Sequence, residues 1–195
     1  PARGPRPRSS PAAILVKPRL PISSSESRGF WGRCAPARPC ALVSLFLLLG
    51  GCVGMPDGVR PVSDFELERY LGAWYEIARL DHRFERGLVD VTANYTMRED
   101  GGVEVINRGW DVDDDEWSVA NGKAYFIGDP DVGSLKVSFF GPFYGGYHIL
   151  SLEESEPDYG LAMVAGPTRG YLWILARSPE VSEARFQALV DQARK

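Results

Sequence analysis

Between residues 72 and 177 this chain repeats one pattern eight times: a short run in which apolar and polar residues alternate, then a turn. The clearest run sets Val89, Val91, Ala93, Tyr95 and Met97 against Asp90, Thr92, Asn94, Thr96 and Arg98. A period of two puts the two sets on opposite sides of a pleated strand, so each run predicts a strand with one buried face. Strands are expected over 73–80, 89–97, 103–110, 117–127, 134–140, 145–152, 159–165 and 171–177. Turn residues separate them: Glu99-Asp100-Gly101-Gly102, Asp129-Pro130-Asp131, Gly141-Pro142, Glu156-Pro157-Asp158 and Gly166-Pro167. Eight consecutive strands with short connections suit an all-β, antiparallel up-and-down barrel, a closure that leaves no open edge. A barrel of this strand number is wide enough to hold one small ligand, so its inward faces decide what it contains.

Two helical segments flank the strands. Asp64 is placed to cap one or two turns over Phe65–Tyr70. Ser178-Pro179-Glu180 is expected to start a C-terminal α-helix. Its Val181, Ala184, Phe186, Leu189 and Val190 roughly share one face, which should pack on the outside of the barrel.

The N-terminal quarter is a different kind of sequence. Residues 1–40 hold eight of the 22 basic residues and one acid, Glu26, with many Pro and Ser and no apolar periodicity. They are expected to be disordered or a translation-start artefact, and the chain opens on Pro1 and not Met. Residues 41–51 form a short apolar run behind Arg33 and Arg38, too short to span a bilayer, which needs about 20 residues. It ends in Leu49-Gly50-Gly51-Cys52, the layout of a signal h-region and a small-residue cleavage site. That tetrapeptide resembles a bacterial lipobox, which makes Cys52 the lipidated first residue of the mature protein. Residues 52–63, rich in Gly and Pro, then read as a tether, and 64–195 as one globular domain.

Several chemistries are excluded or disfavoured. From residue 52 onward, 14 Lys and Arg stand against 25 Asp and Glu, a net charge of −11. Such a domain repels phosphate backbones, so no nucleic-acid partner is expected. Cys34 and Cys40 precede Cys52, which leaves the domain no thiol for a disulfide, a metal or a nucleophile. His82 and His148 lack a nucleophile at elbow spacing; His82 reads as a hydrogen-bonding loop pair with Asp81, and His148 as strand packing. No H-x-x-x-H or C-x-x-C occurs, so no metal site and no cofactor are implied. Asp111–Glu116 lacks the glycine and the distal glutamate of a calcium loop and reads as a solvated turn.

Gly72-Ala73-Trp74-Tyr75 opens the first strand and Arg177 closes the last. A glycine and tryptophan at the first strand, answered by an arginine at the end of the barrel, resemble the lipocalin signature. Two longer segments, Asp81–Gly87 and Lys136–Tyr147, are similar to the bacterial outer-membrane (Blc-type) lipocalins, relatives of apolipoprotein D. The resemblance runs from about Phe65 to the end and agrees with the lipobox. It departs at Ser151–Gly160, a stretch that looks longer here, and at Lys195, beyond which family members continue.

The resemblance implies a lipocalin barrel that binds fatty acids or lysophospholipids and is anchored through Cys52 at the periplasmic face of the bacterial outer membrane. It implies ligand contacts for Tyr144 and Trp173, with Tyr75 and Tyr125 as further aromatic candidates, and head-group contacts for Arg83 and Arg86. Gly72, Trp74 and Arg177 are expected to be structural, the guanidinium stacked on the indole. A non-enzymatic lipid carrier for storage or transport is therefore the leading expectation. A lipid-modifying enzyme using the same cavity, and an envelope interaction protein with an incidental pocket, are the alternatives. Pairing into a homodimer is left open.

Overall fold

A computed structural model describes residues 53–194; the N-terminal extension, the apolar run and Cys52 lie outside the described residues. Among the described residues eight antiparallel strands close into one barrel in sequence order. They are β1 (Gly72–Arg79), β2 (Leu88–Met97), β3 (Val103–Asp111), β4 (Glu116–Phe126), β5 (Ser134–Phe140), β6 (Phe143–Glu154), β7 (Tyr159–Ala165) and β8 (Leu172–Ala176). The expected strands agree with these within a few residues, because alternation over a half-buried face is the strongest local signal a sheet carries. β1 pairs with both β2 and β8, which closes the cylinder.

The helices begin later than expected. α1 (Leu67–Tyr70) has Glu66 at its N-cap without a side-chain cap bond. Asp64 instead stands outside the helix at φ +55°, where its carboxylate accepts a hydrogen bond from Ser63 Oγ. α2 (Glu183–Ala193) starts after an extended Ser182. Val181 therefore precedes the helix and Ala184 is exposed, while Val190 packs with Ala78 and Ile174, flanked by Ile77, Phe186 and Leu189. The helix thus lies outside β1 and β8, as its apolar face requires.

The up-and-down course gives the barrel two unlike ends. α1, the start of β1, the end of β8 and the β2–β3, β4–β5 and β6–β7 turns share one end, which aromatic packing closes. Phe65, Tyr70, Trp74, Tyr95 and Tyr159 are all buried there, and Trp74 is wholly excluded from solvent. Each such side chain stabilises the fold by about 1.5–3 kcal/mol. Arg177 lies over the Trp74 ring at 4.1 Å and donates to the carbonyls of Arg69, Leu71, Ala73 and Tyr159. Gly72 at φ +90° lets the chain turn into β1 beside that guanidinium. The β1–β2, β3–β4, β5–β6 and β7–β8 loops ring the other, open end.

Candidate ligand site in the barrel lumen

Register decides which side chains see the lumen. On β4, Ala124 is buried in the core and pairs with Val103, and the ladder to β3 runs without a shift. Gly122, Ala120 and Ser118 therefore face the axis as well. This wall carries no large side chain above Ala124. Ala120 and Ser118 are exposed although they face inward, so solvent enters the lumen at their level. Gly122 is small for a reason: a Cβ there would meet the Phe139 ring, which reaches across β4 from β5.

Three tyrosines make the floor. The Tyr70 and Tyr95 hydroxyls lie 2.7 and 2.9 Å from the Tyr147 hydroxyl, and Trp74 Nε1 donates to the Tyr70 carbonyl at 2.8 Å. Burial pushes Tyr95 up to about 12 and holds Tyr70 and Tyr147 well above the ordinary phenol range. The floor is neutral at any physiological pH, with its polar atoms satisfied among themselves.

The upper lumen holds a charged cluster. A bulge between Glu76 and Ala78 turns both Ile77 and Ala78 toward α2, and it leaves Glu76 and Arg79 both facing inward. Arg79 Nη1 donates to Glu76 Oε1, and Arg79 Nη2 donates to the carbonyls of Glu85 and Leu88 at 2.6 and 2.9 Å. This ties the β1–β2 loop across the barrel mouth. Trp173 Nε1 donates to Glu85 Oε2 at 2.9 Å. His82 Nε2 lies 3.1 Å from the same oxygen but out of hydrogen-bond alignment, which leaves both ring nitrogens without a hydrogen-bond partner among the described residues. His82 also packs on Tyr171 and Trp173, with ring centroids 5.3 and 5.1 Å away.

The two carboxyls differ. Burial first, and then the charge of Glu85, push Glu76 up to about 7 in spite of Arg79. Burial also acts on Glu85, but His82, Trp173 and Arg79 outweigh it and hold that carboxyl below its ordinary range. The mouth therefore carries one carboxyl, Glu85, that ionises readily and another, Glu76, that keeps its proton to higher pH. The charge that a bound head group meets is set by these two residues and the arginine between them.

The structure distributes the sequence-derived candidates over both faces of the wall. Trp173 faces the lumen. Tyr75, next to buried Trp74, points outward and is exposed. Tyr125 lies between the core residues Ala124 and Phe126, so it also points outward; its hydroxyl donates to Asp100 Oδ2 at 2.9 Å. Tyr144 packs on the same outer surface, against Tyr125 at 6.4 Å and under Lys136. These three tyrosines do not line the lumen. Arg83 is exposed on the β1–β2 loop, and Arg86 is paired with Asp81 at 2.8 Å. Asp81 is thus engaged by Arg86 and not by His82. His148 is buried, as expected for packing, and has two further partners: Ser134 Oγ at 2.9 Å and the Gly54 carbonyl at 3.1 Å.

Sequence reasoning passed over Glu76, Arg79 and Glu85. The signal was present for the first: Glu76 stands two residues from Trp74, and on a strand that spacing means the same face. At the β3–β4 turn, Asp111 Oδ1 accepts from the backbone of Asp113 and Asp114, a self-satisfied turn. No group of three or more metal-ligating side chains occurs among the described residues.

Comparison with known proteins agrees with this architecture. The lipocalin-like domain family matches residues 65–195. A protein named outer membrane lipoprotein Blc from Vibrio cholerae serotype O1 is 50% identical over 158 residues, covering 81% of this chain and 91% of that one. Its namesake from Escherichia coli K12 is 54% identical over 138 residues, covering 71% and 76%. Among solved structures, insecticyanin from Manduca sexta superposes with a TM-score of 0.55 at 21% identity, over 72% of this chain and 77% of that one, a likeness of fold alone.

Proposed function

This chain belongs to the lipocalin-like family, and on that premise we propose that it is a lipid-binding lipoprotein of the bacterial outer membrane. In this reading it holds one acyl chain of a fatty acid or lysophospholipid in its lumen, for storage or transport at the cell envelope. Its close relatives are named outer membrane lipoproteins. The Leu49-Gly50-Gly51-Cys52 tetrapeptide supplies the matching anchor, with Cys52 lipidated at the periplasmic face. Val53 follows the cysteine where an acidic residue would favour retention in the inner membrane. The protein binds and does not catalyse.

The observation that carries this reading is the β4 wall. Ser118, Ala120 and Gly122 face the axis, and solvent reaches the first two from the open end. An acyl chain entering there passes the Glu76–Arg79–Glu85 cluster and descends toward the tyrosine floor. Its affinity comes mainly from burial of methylenes, about 0.8 kcal/mol each. Trp173 supplies an apolar face at the mouth, and exposed Arg83 is placed to meet a carboxylate or phosphate head group.

Thermal melting of the domain with an 18-carbon lysophospholipid tests the reading. At a free concentration one hundred times Kd the ligand adds about 2.7 kcal/mol to the folded state. For a domain of this size the melting temperature rises by about 5–10 °C. No rise with either lysophospholipid or fatty acid, for a folded protein, refutes it. Pairing of two copies is compatible with the proposal, and sedimentation velocity of the same domain reads it.

A further inference from the structure

The open end of the barrel carries large apolar side chains that the fold leaves uncovered. Phe84 on the β1–β2 loop is 73% exposed, and Phe140 and Phe143 at the β5–β6 hairpin tip are 75% and 70% exposed. Core packing does not need them, and exposed phenylalanines clustered at one end of a domain mark an interaction surface. The strand order places these loops around the rim as β1–β2, β3–β4, β5–β6 and β7–β8. Phe84 leans toward β8, its ring 6.5 Å from Tyr171, so it and the β5–β6 tip flank the β7–β8 arc, which the strand order sets across the mouth from the β3–β4 turn.

The start of the described chain lies on that same arc. The Gly54 carbonyl accepts from His148, and the Val53 and Gly54 carbonyls lie against Gly146 of β6. His148 pairs with Ala165, the last residue of β7 at the open end. The Asp57 carbonyl accepts from Arg169 of the β7–β8 loop at 2.7 Å, and exposed Met55 lies between these contacts. Only from Val62 onward does the segment descend to the closed end, through hydrogen bonds to Ile149 and Gly133 and then from Phe65 to Asp131. Cys52 directly precedes Val53 in the sequence. Gly146 is three residues from Phe143, about 10 Å along the strand. The acids Asp111, Asp113, Asp114, Asp115 and Glu116 form the β3–β4 turn, which lies between the β1–β2 and β5–β6 loops and across the mouth from β7–β8; Val112 N donates to the Gly87 carbonyl at the end of the β1–β2 loop.

We propose that the barrel docks mouth-down on the lipid surface that holds its anchor, with Phe84, Phe140 and Phe143 inserted among the head groups. This rests on lipidation at Cys52. Anchor and apolar tips are on one side, so both enter one bilayer without unwinding the Val53–Val62 segment. A tilt toward the β7–β8 side keeps the acidic β3–β4 turn, across the mouth, clear of lipid phosphates. The lumen then opens toward the membrane, and a lipid reaches it without crossing bulk water.

The lipidated protein in zwitterionic phosphatidylcholine vesicles provides the test. A single added cysteine at Gly141→Cys, where side-chain space is open, carries an environment-sensitive fluorophore. A second variant carries it at Glu99→Cys, on the exposed β2–β3 turn of the closed end. The expected result is a blue-shifted label at 141 that doxyl-labelled lipids quench at least threefold more than the label at 99. Adding Phe140→Ser and Phe143→Ser returns the label at 141 to solvent values while the protein still floats with vesicles. Equal quenching at both positions, or a solvent-exposed label at 141 in floated protein, overturns the docking. A label at 141 shielded without lipid quenching, together with a doubled sedimentation mass, assigns the tips to a second copy and also overturns it. Failure of the unsubstituted protein to float refutes the anchor, and the docking with it.

Discussion

Replacing Glu76 with glutamine should remove a defined piece of the protein's pH dependence. The Glu76 side chain is 4% exposed and sits beside Glu85 and Arg79. Its carboxyl is raised from 4.5 in the open chain to about 7 in the fold. A folded state that binds its proton more tightly than the unfolded chain is favoured at low pH. The contribution of Glu76 is therefore fully present below about pH 4.5, falls as pH rises to about 7, and is flat above that. Two and a half units correspond to about 3 kcal/mol at 1.36 kcal/mol per unit. Glutamine keeps the shape and can still accept from Arg79, but it cannot ionise. Urea unfolding of wild type and Glu76→Gln between pH 4.5 and 8 isolates the effect, because Glu85, the carboxyl coupled to Glu76, is held below its ordinary range and titrates in more acid solution. The two stabilities should nearly coincide at pH 4.5, and the variant should be more stable by about 3 kcal/mol at pH 8. Asp81 and Glu85, whose carboxyls are held low, act in the opposite direction and only in more acid solution. A difference that does not change with pH, or that favours wild type at pH 8, refutes the buried-carboxyl argument.

Two further outcomes follow from the same geometry. Arg177→Ala removes the stacking on Trp74 and four backbone contacts at the closed end; it should cost about 3 kcal/mol and lower the melting temperature by about 6–12 °C, with Arg177→Lys restoring only part. A series of saturated lysophospholipids should gain about fourfold in affinity per added methylene, read by calorimetric titration, until the chain end meets the Tyr70–Tyr95–Tyr147 floor and the gain stops.

The barrel was legible because each strand buries one face, and alternation survives in the sequence wherever that is true. Val89–Met97 is the clearest example. The phase of alternation was legible only where one face was plainly polar. Lys123-Ala124-Tyr125-Phe126 is apolar or amphipathic on both sides, so nothing local says that Phe126 points in and Tyr125 out. At Trp74-Tyr75-Glu76 the reading is harder still, since a glutamate two residues from a buried tryptophan contradicts the usual cost of burying charge. That cost is only partly offset here by Arg79, brought inward by a bulge that no turn residue announces. Arg79 then gathers Glu85 from a loop six residues on, a contact set by closure of the barrel and not by sequence spacing. The C-terminal helix was visible as an apolar face, but it starts after Ser182, which makes no side-chain cap bond, and not at the earlier Ser178-Pro179-Glu180.

Adjacent residues on β4 offer the most direct test that the lumen is the binding site. Ala120 faces the axis and Val119 faces out, so a tryptophan at either position adds the same bulk to opposite sides of one wall. Calorimetric titration with an 18-carbon lysophospholipid should find one site in the Val119→Trp variant with unchanged affinity. In Ala120→Trp, with the barrel still folded by circular dichroism, binding should weaken at least tenfold. Equal affinity in the two variants would place the lipid elsewhere and contradict the account.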